Sequence, residues 1–158
     1  VLTFTKTDPY TFKITGRTQE YINAFGEDLL LANVQNALMK TNATFNCSVR
    51  DYTVAPFYIN IEQKGRIQFA IEFNQPPVDV NQYAAVLDEN LKLENSNYLQ
   101  KRTNDLALSR LEVIALPEGT FYKWLSSINK LGGQNKVPRL SNERKYVVEI
   151  LSLSEKSM

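Results

Sequence analysis

A chain of 158 residues, 43% hydrophobic and 22% charged, has the size and composition of one ordinary globular domain; such a chain buries roughly 70% of its unfolded surface without staples. Eighteen Lys and Arg against 17 Asp and Glu leave a net charge of +1, which excludes a strongly charge-driven nucleic-acid binder but leaves room for a local phosphate site. The single cysteine, Cys47, excludes an internal disulfide and fits a reducing, cytoplasmic setting, and the absence of histidine removes Ser-His and Cys-His nucleophiles and imidazole metal sites.

In chain order, Val1 to Lys6 alternates as a short strand, Asp8-Pro9-Tyr10 is a turn, and Phe12 to Thr15 is a strand broken at Gly16. Tyr21 to Phe25 predicts another strand, broken at Gly26. Leu29, Leu30, Val34, Ala37 and Leu38 fall on one helical face, so a helix is expected from Asp28 to about Lys40. Thr53 to Ile61 is strand-rich, with Pro56 marking an edge or bulge. Ile67, Phe69, Ile71 and Phe73 alternate with polar or small residues, and the two runs predict an antiparallel hairpin with one buried face. Asp79 can cap a helix striped by Val80, Tyr83, Ala84, Leu87 and Leu91. A second helix is expected near Ser96, a strand over Leu111 to Leu116, and a helix carrying Phe121, Trp124, Leu125 and Ile128 that ends at Gly132 and Gly133. Ser141 can cap a last helix with Tyr146, Val147, Ile150 and Leu151 inward. The fold class that follows is α+β: a mixed, largely antiparallel sheet covered by about four to five helices, in a single domain without internal repeats.

Other features read plainly. Asn42-Ala43-Thr44 and Asn46-Cys47-Ser48 match the glycosylation triplet, which we take as chance matches in a cytoplasmic protein. No apolar run reaches the ~20 residues of a membrane span, and no membrane partner is expected. Lys101-Arg102 and Glu143 to Lys145 read as solvated faces and Trp124 as core at helical spacing, with an interdomain contact as the alternative. Asp88, Glu89 and Glu112 have no spacing that signals acid–base work or a metal site. The chain starts at Val1, without methionine and directly on a strand-like alternation, so a longer natural chain is expected.

The stretch Gly16-Arg17, Gln19, Ile22, Asn23, Gly26, Leu29, Val34, Leu38 resembles the joint of the adenylate-forming superfamily of acyl-CoA synthetases and luciferases, G-R-x-D-x-x-I-K-x-x-G-x-x-I-x-x-x-E-I-E-x-x-L. Gln19 stands at the pattern's Asp, Asn23 at its Lys, and Asn33 and Gln35 at its two Glu. "GRTQEYINAFGED", "DYTVAP", "EGTFYKWL" and "KLGGQNKVPRLSNER", occurring in that order, are similar to the auxin-responsive acyl-acid amido synthetases in their bacterial form, over nearly the whole stretch from Phe12 to Leu151.

That resemblance implies the mobile C-terminal domain of a ligase that joins a carboxylic acid to an amine, typically an amino acid, through an acyl-adenylate, with loss of pyrophosphate. ATP and Mg2+ would be bound mainly by an N-terminal adenylation domain of the same polypeptide, and this part alone would be inactive. Residues 1–15 would be lead-in strands, 16–151 the lid domain and 152–158 a frayed tail. Gly16, Arg17, Thr18 and Gln19 would form the hinge between two orientations of the lid, Gly16 relieving the steric limit on the backbone there. Lys136, within "NKVPR", matches the family's nucleotide-facing lysine and is the catalytic candidate; a solvated loop lysine is the plain alternative. Arg139 would be a second phosphate or interdomain contact. Asn23 and Gly26 are the remaining cofactor-binding candidates: Asn23 can hydrogen-bond substrate or backbone, and Gly26-Glu27 opens a helix whose N-terminus favours an anion, which Glu27 opposes unless it caps its own helix. The rival to this reading is a free-standing α+β module that binds a small ligand or a protein without catalysis.

Overall fold

The computed structural model describes residues 2–14, 21–26, 28–58, 64–103, 108–132 and 136–155. Along them run β1 (Leu2–Thr7), β2 (Tyr10–Ile14), β3 (Tyr21–Ile22), β4 (Leu29–Leu30), α1 (Leu31–Phe45), β5 (Ser48–Phe57), β6 (Arg66–Gln75), α2 (Val80–Glu94), α3 (Ser96–Arg102), β7 (Glu112–Leu116), α4 (Thr120–Ser127) and α5 (Lys145–Glu155). The sheet order is β5-β6-β7, with β5 antiparallel and β7 parallel to β6. Two smaller antiparallel ladders, β1-β2 and β3-β4, come before it. This is the expected α+β class with a mixed sheet.

The hairpin β5-β6 differs from expectation in two respects: β5 begins at Ser48, five residues ahead of Thr53, and ends at Phe57, and β6 is buried on both faces, from Ile67 through Phe73. Helices cover the sheet on each side. Ile67, Phe69, Ile71 and Phe73 face a core shared with Val34, Leu38, Tyr83, Leu87 and Leu91 of α1 and α2. Ala70 faces a second core with Phe121, Trp124, Val137 and Ile150. The alternation that suggests a polar, solvated face is therefore carried by buried polar groups, and each has partners, as burial requires. Gln68 donates to Glu112 (2.8 Å) and accepts from Arg144 (2.7 Å). Glu72, 1% exposed, accepts the amides of Gly119 (2.8 Å) and Phe121 (3.2 Å), and so caps α4 from the central strand.

Element ends shift for identifiable reasons. The strand expected over Tyr21–Phe25 stops at Ile22, because Gly26 (φ 74°) and Asp28 (φ 45°) turn the chain back so that Leu29 and Leu30 pair with Ile22 and Tyr21. Helix α1 then starts at Leu31 rather than Asp28, with Asn33 accepting the Leu30 amide (3.0 Å), and runs to Phe45. Asp79 caps α2 as expected, accepting the amides of Asn81 and Gln82. Helix α4 ends at Ser127, ahead of Gly132. Ser141 does not cap α5: its hydroxyl takes the Glu143 amide in a local turn, and the helix begins at Lys145. The same helix continues through Glu155 with Ser154 buried, so the chain is helical four residues beyond the expected boundary at 151.

Candidate functional site

Lys136 is exposed and opens a segment that belongs to no helix and, apart from a one-residue bridge, no strand. The segment is nonetheless pinned along the outer edge of β5. The Thr53 hydroxyl donates to the Pro138 carbonyl (2.7 Å), the Val54 amide to the Arg139 carbonyl (2.9 Å), and the Ser141 amide to the Val54 carbonyl (3.0 Å). Leu140 thus forms a parallel bridge with Val54. Val137 enters the α4–α5 core and Leu140 the α1–α2 core, 4% and 1% exposed. A lysine one residue before a buried valine stands on a fixed base, which is what a positioned cation requires.

Arg139, the second candidate in this stretch, is turned to the protein. Its guanidinium pairs with Asp51 (3.0 Å) and lies 4.4 Å from the centre of the Tyr52 ring. Burial pushes the Asp51 carboxyl above the usual carboxylate range, outweighing the pull of Arg139 and of the Tyr52 amide.

Asn142 ties this segment to the opening stretch. Its side chain accepts the Asn23 amide (2.9 Å) and donates to the Tyr21 carbonyl (3.2 Å), while its own carbonyl accepts the Tyr58 hydroxyl (2.7 Å). The Tyr58 ring packs against Phe25, centres 5.9 Å apart. Asn23, exposed, is thereby joined through one residue to the chain that carries Lys136 and Arg139. Gly26 lies elsewhere, beside α3: a Cβ there would come within 3.9 Å of the Lys101 ammonium, and its φ of +74° strains any other residue. The hinge candidates Gly16, Arg17, Thr18 and Gln19, like Glu27 and Gly133, lie outside the described residues.

Each of the two charged runs expected to be solvated holds one arginine turned inward, while Glu143 and Lys145 are exposed as expected. Arg102, 7% exposed, holds Asp88 in a fork (Nη2 to Oδ2 2.8 Å, Nε to Oδ1 3.0 Å) and donates to the Leu108 carbonyl (2.9 Å). Asp88, 1% exposed, also takes the Tyr98 hydroxyl (2.6 Å) and an ion pair from Lys92 (3.2 Å). Burial raises the Asp88 carboxyl, but its hydrogen bonds from Arg102, Tyr98 and Lys92 outweigh that and hold it below the usual carboxylate range. Arg144 donates to the Pro56 carbonyl (3.0 Å) and to Gln68 (2.7 Å) and lies over the Phe57 ring. Burial and the neighbouring Arg66 lower its pKa. Trp124 is core as expected, its indole N–H donating to Glu149 (2.9 Å). Among the described residues no group of three or more Asp, Glu or Cys is placed to hold a metal ion, and no helix is long and apolar enough to cross a membrane.

The model of the GH3 family C-terminal domain matches residues 32–145, well over half of the chain. The chain belongs to the GH3 family. Its fold agrees with solved GH3 structures: one described as the GH3.15 acyl acid amido synthetase (TM-score 0.72, 15% identity) and one as the AtGH3.15 acyl acid amido synthetase in complex with 2,4-DB (TM-score 0.68, 16% identity). Each match takes in 90% of this chain but only 27% and 26% of those longer chains. No curated protein matches. Family and fold are thus those the sequence motifs point to, and the GH3 C-terminal domain is the part of the family that this chain covers. Asp51 and Thr53 lie in the motif DYTVAP and Asn142 in KLGGQNKVPRLSNER, but neither motif assigns them a role. Only their placement around Lys136 and Arg139 brings them into the site.

Proposed function

We propose that this GH3 C-terminal domain is the mobile lid of an ATP-dependent ligase that joins a carboxylic acid to an amine, typically an amino acid, through an acyl-adenylate. The observation that carries the reading is the match of the GH3 C-terminal domain to residues 32–145, supported by an exposed Lys136 on a fixed base at the edge of the sheet. ATP and Mg2+ would be held mainly by an N-terminal adenylation domain of the same polypeptide. The domain described here offers a cation for a phosphate oxygen and no acidic cluster for the metal among its described residues. A lid that closes in two orientations can present Lys136 during adenylation and withdraw it for attack by the amine. Such an enzyme would work in the cytoplasm.

An ammonium ~4 Å from a phosphate oxygen gains roughly 4 kcal/mol at an effective dielectric near 20. Delivered where charge shifts toward pyrophosphate, that lowers the barrier of one half-reaction only. In the full-length enzyme Lys136→Ala is expected to slow adenylation by about 10²–10³-fold, for a loss of ~3–4 kcal/mol, and to leave amide formation from a preformed acyl-adenylate nearly unchanged. Lys136→Arg should rescue poorly, because a planar fork replaces a point charge. Pyrophosphate exchange set beside single-turnover conjugation is the measurement. Equal losses in both would make Lys136 a structural residue, and no loss in either would leave it a solvated loop lysine.

A further inference from the structure

We propose that Asp51 is a positioning residue for Lys136, acting through Arg139 on the segment that both residues share. This rests on the reading of Lys136 just given. Three backbone-directed hydrogen bonds, from Thr53, Val54 and Ser141, lay residues 138–141 on β5. All three fall on one short stretch, and its middle is held by a side-chain contact as well, the Arg139–Asp51 ion pair at 3.0 Å with Tyr52 beneath the guanidinium. Asp51 is itself fixed, because it accepts the Tyr52 amide (2.8 Å) from its own strand. Between Arg139 and Lys136 stand only Pro138, whose ring fixes one backbone angle, and Val137, which is buried. Holding Arg139, together with the Thr53–Pro138 hydrogen bond and the burial of Val137, therefore sets the position from which Lys136 projects.

Burial and a second carboxylate both disfavour the ionised form of Asp51. Its carboxyl sits above the usual range because burial outweighs Arg139, and the carboxylate of Glu72, its partner across the β5–β6 ladder, adds repulsion. A raised folded pKa means that folding favours the protonated form, so above that pKa the ionised Asp51 opposes folding. Asp51→Asn keeps the shape and the acceptor for the Tyr52 amide and removes only the charge. A purely structural role would predict a drop in melting temperature. A positioning role predicts the opposite pairing of effects: a melting temperature unchanged or raised, and a looser segment.

The experiment has two arms. In this chain, amide exchange of Val54 and Ser141, the two amides that close the contact with residues 139–141, is expected to quicken about tenfold in Asp51→Asn while the amides of β6 keep their protection. In the full-length enzyme, Asp51→Asn is expected to lower the turnover of adenylation about tenfold with little change in KM for the acid, and to leave conjugation from a preformed adenylate intact. Unchanged exchange at Val54 and Ser141, or a lowered melting temperature with losses in both half-reactions, would overturn the proposal. Loss of adenylation in Lys136→Ala but not in Asp51→Asn would overturn it while sparing the reading of Lys136. Loss in neither variant would overturn both.

Discussion

Replacing Arg102 by methionine tests the buried hub formed by α2, α3 and the chain entering β7. Arg102 supplies Asp88 with a two-point fork and also satisfies the Leu108 carbonyl, and both ionic side chains are at least 93% buried. Methionine fills much of the volume but leaves the carboxylate with only Tyr98, Lys92 and a long contact to the Leu111 amide (3.4 Å). Removing one partner of a buried pair costs about 3–5 kcal/mol, whereas a solvated pair is worth at most ~1 kcal/mol. For a domain whose whole stability is of order 5–15 kcal/mol, the larger figure is a severe loss. At a urea slope near 2 kcal/mol per molar it moves the unfolding midpoint down by about 1.5–2.5 M. The double change Asp88→Leu with Arg102→Met removes both charges and should recover much of that loss, because an apolar pair of similar volume replaces the ion pair. The pH dependence has a fixed sign. The folded carboxyl of Asp88 lies below its unfolded value of ~3.9, so its stabilisation is present above that value and is lost as pH falls through the folded one. The acid limb of the wild-type stability curve should be shallower in Asp88→Asn. A midpoint shift under ~0.5 M for Arg102→Met, with an unchanged acid limb in Asp88→Asn, would refute the hub and return Arg102 to a solvated face.

Glu72→Ala strips the carboxylate from two amides at the start of α4 and leaves Arg50 with Glu118 and Asn74; a loss of about 2–3 kcal/mol is expected in urea unfolding, with quickened exchange in the first turn of α4. Asn142→Ala removes the side-chain ties to Tyr21 and Asn23. It should cost only ~1 kcal/mol of stability, since both contacts are exposed, but should raise exchange at the Asn23 amide without affecting Val54.

What the sequence made legible is what periodicity and local chemistry encode. The stripe Tyr83, Ala84, Leu87, Leu91 and the Asp79 cap both fix α2 within a few residues, and the alternation of Ile67 to Phe73 marks β6. The burial of the opposite face of β6 was not legible, because Gln68 and Glu72 look like solvent-facing residues until Arg144 and the amides of α4 arrive from far along the chain. Arg102 was hidden in the same way: a Lys-Arg pair reads as a solvated face. A signal did exist in Asp88, which sits inside the apolar stripe beside Leu87 and one turn from Ala84 and Leu91, where an unpaired carboxylate is not tolerated. Of the candidate site, Lys136 and Arg139 were legible through family resemblance. Asp51 and Thr53, some 85 residues away, and Asn142, which reaches back 119 residues to Asn23, lie inside the stretches that carry the resemblance, but their role was not legible there, because it depends on contacts between distant segments.

The base under Lys136 also does something for the sheet. The outer edge of β5 would otherwise present unpaired amides and carbonyls, a template for unwanted pairing. The segment through Leu140 covers the middle of that edge, so the hydrogen bonds that protect β5 are the same ones that place the lysine. A residue held this way cannot swing as an independent loop without exposing Val137 and Leu140 and uncovering the edge. If Lys136 serves one half-reaction and leaves for the other, the whole β5-β6-β7 unit has to move with it. Asn142 is consistent with that: it fastens the start of β3, the first described residues after the expected hinge at 16–19, directly to the end of the Lys136 segment. A rotation introduced at the hinge would then reach Lys136 through a rigid body, and the lysine's arrival and departure would be set by backbone angles more than a hundred residues away in sequence.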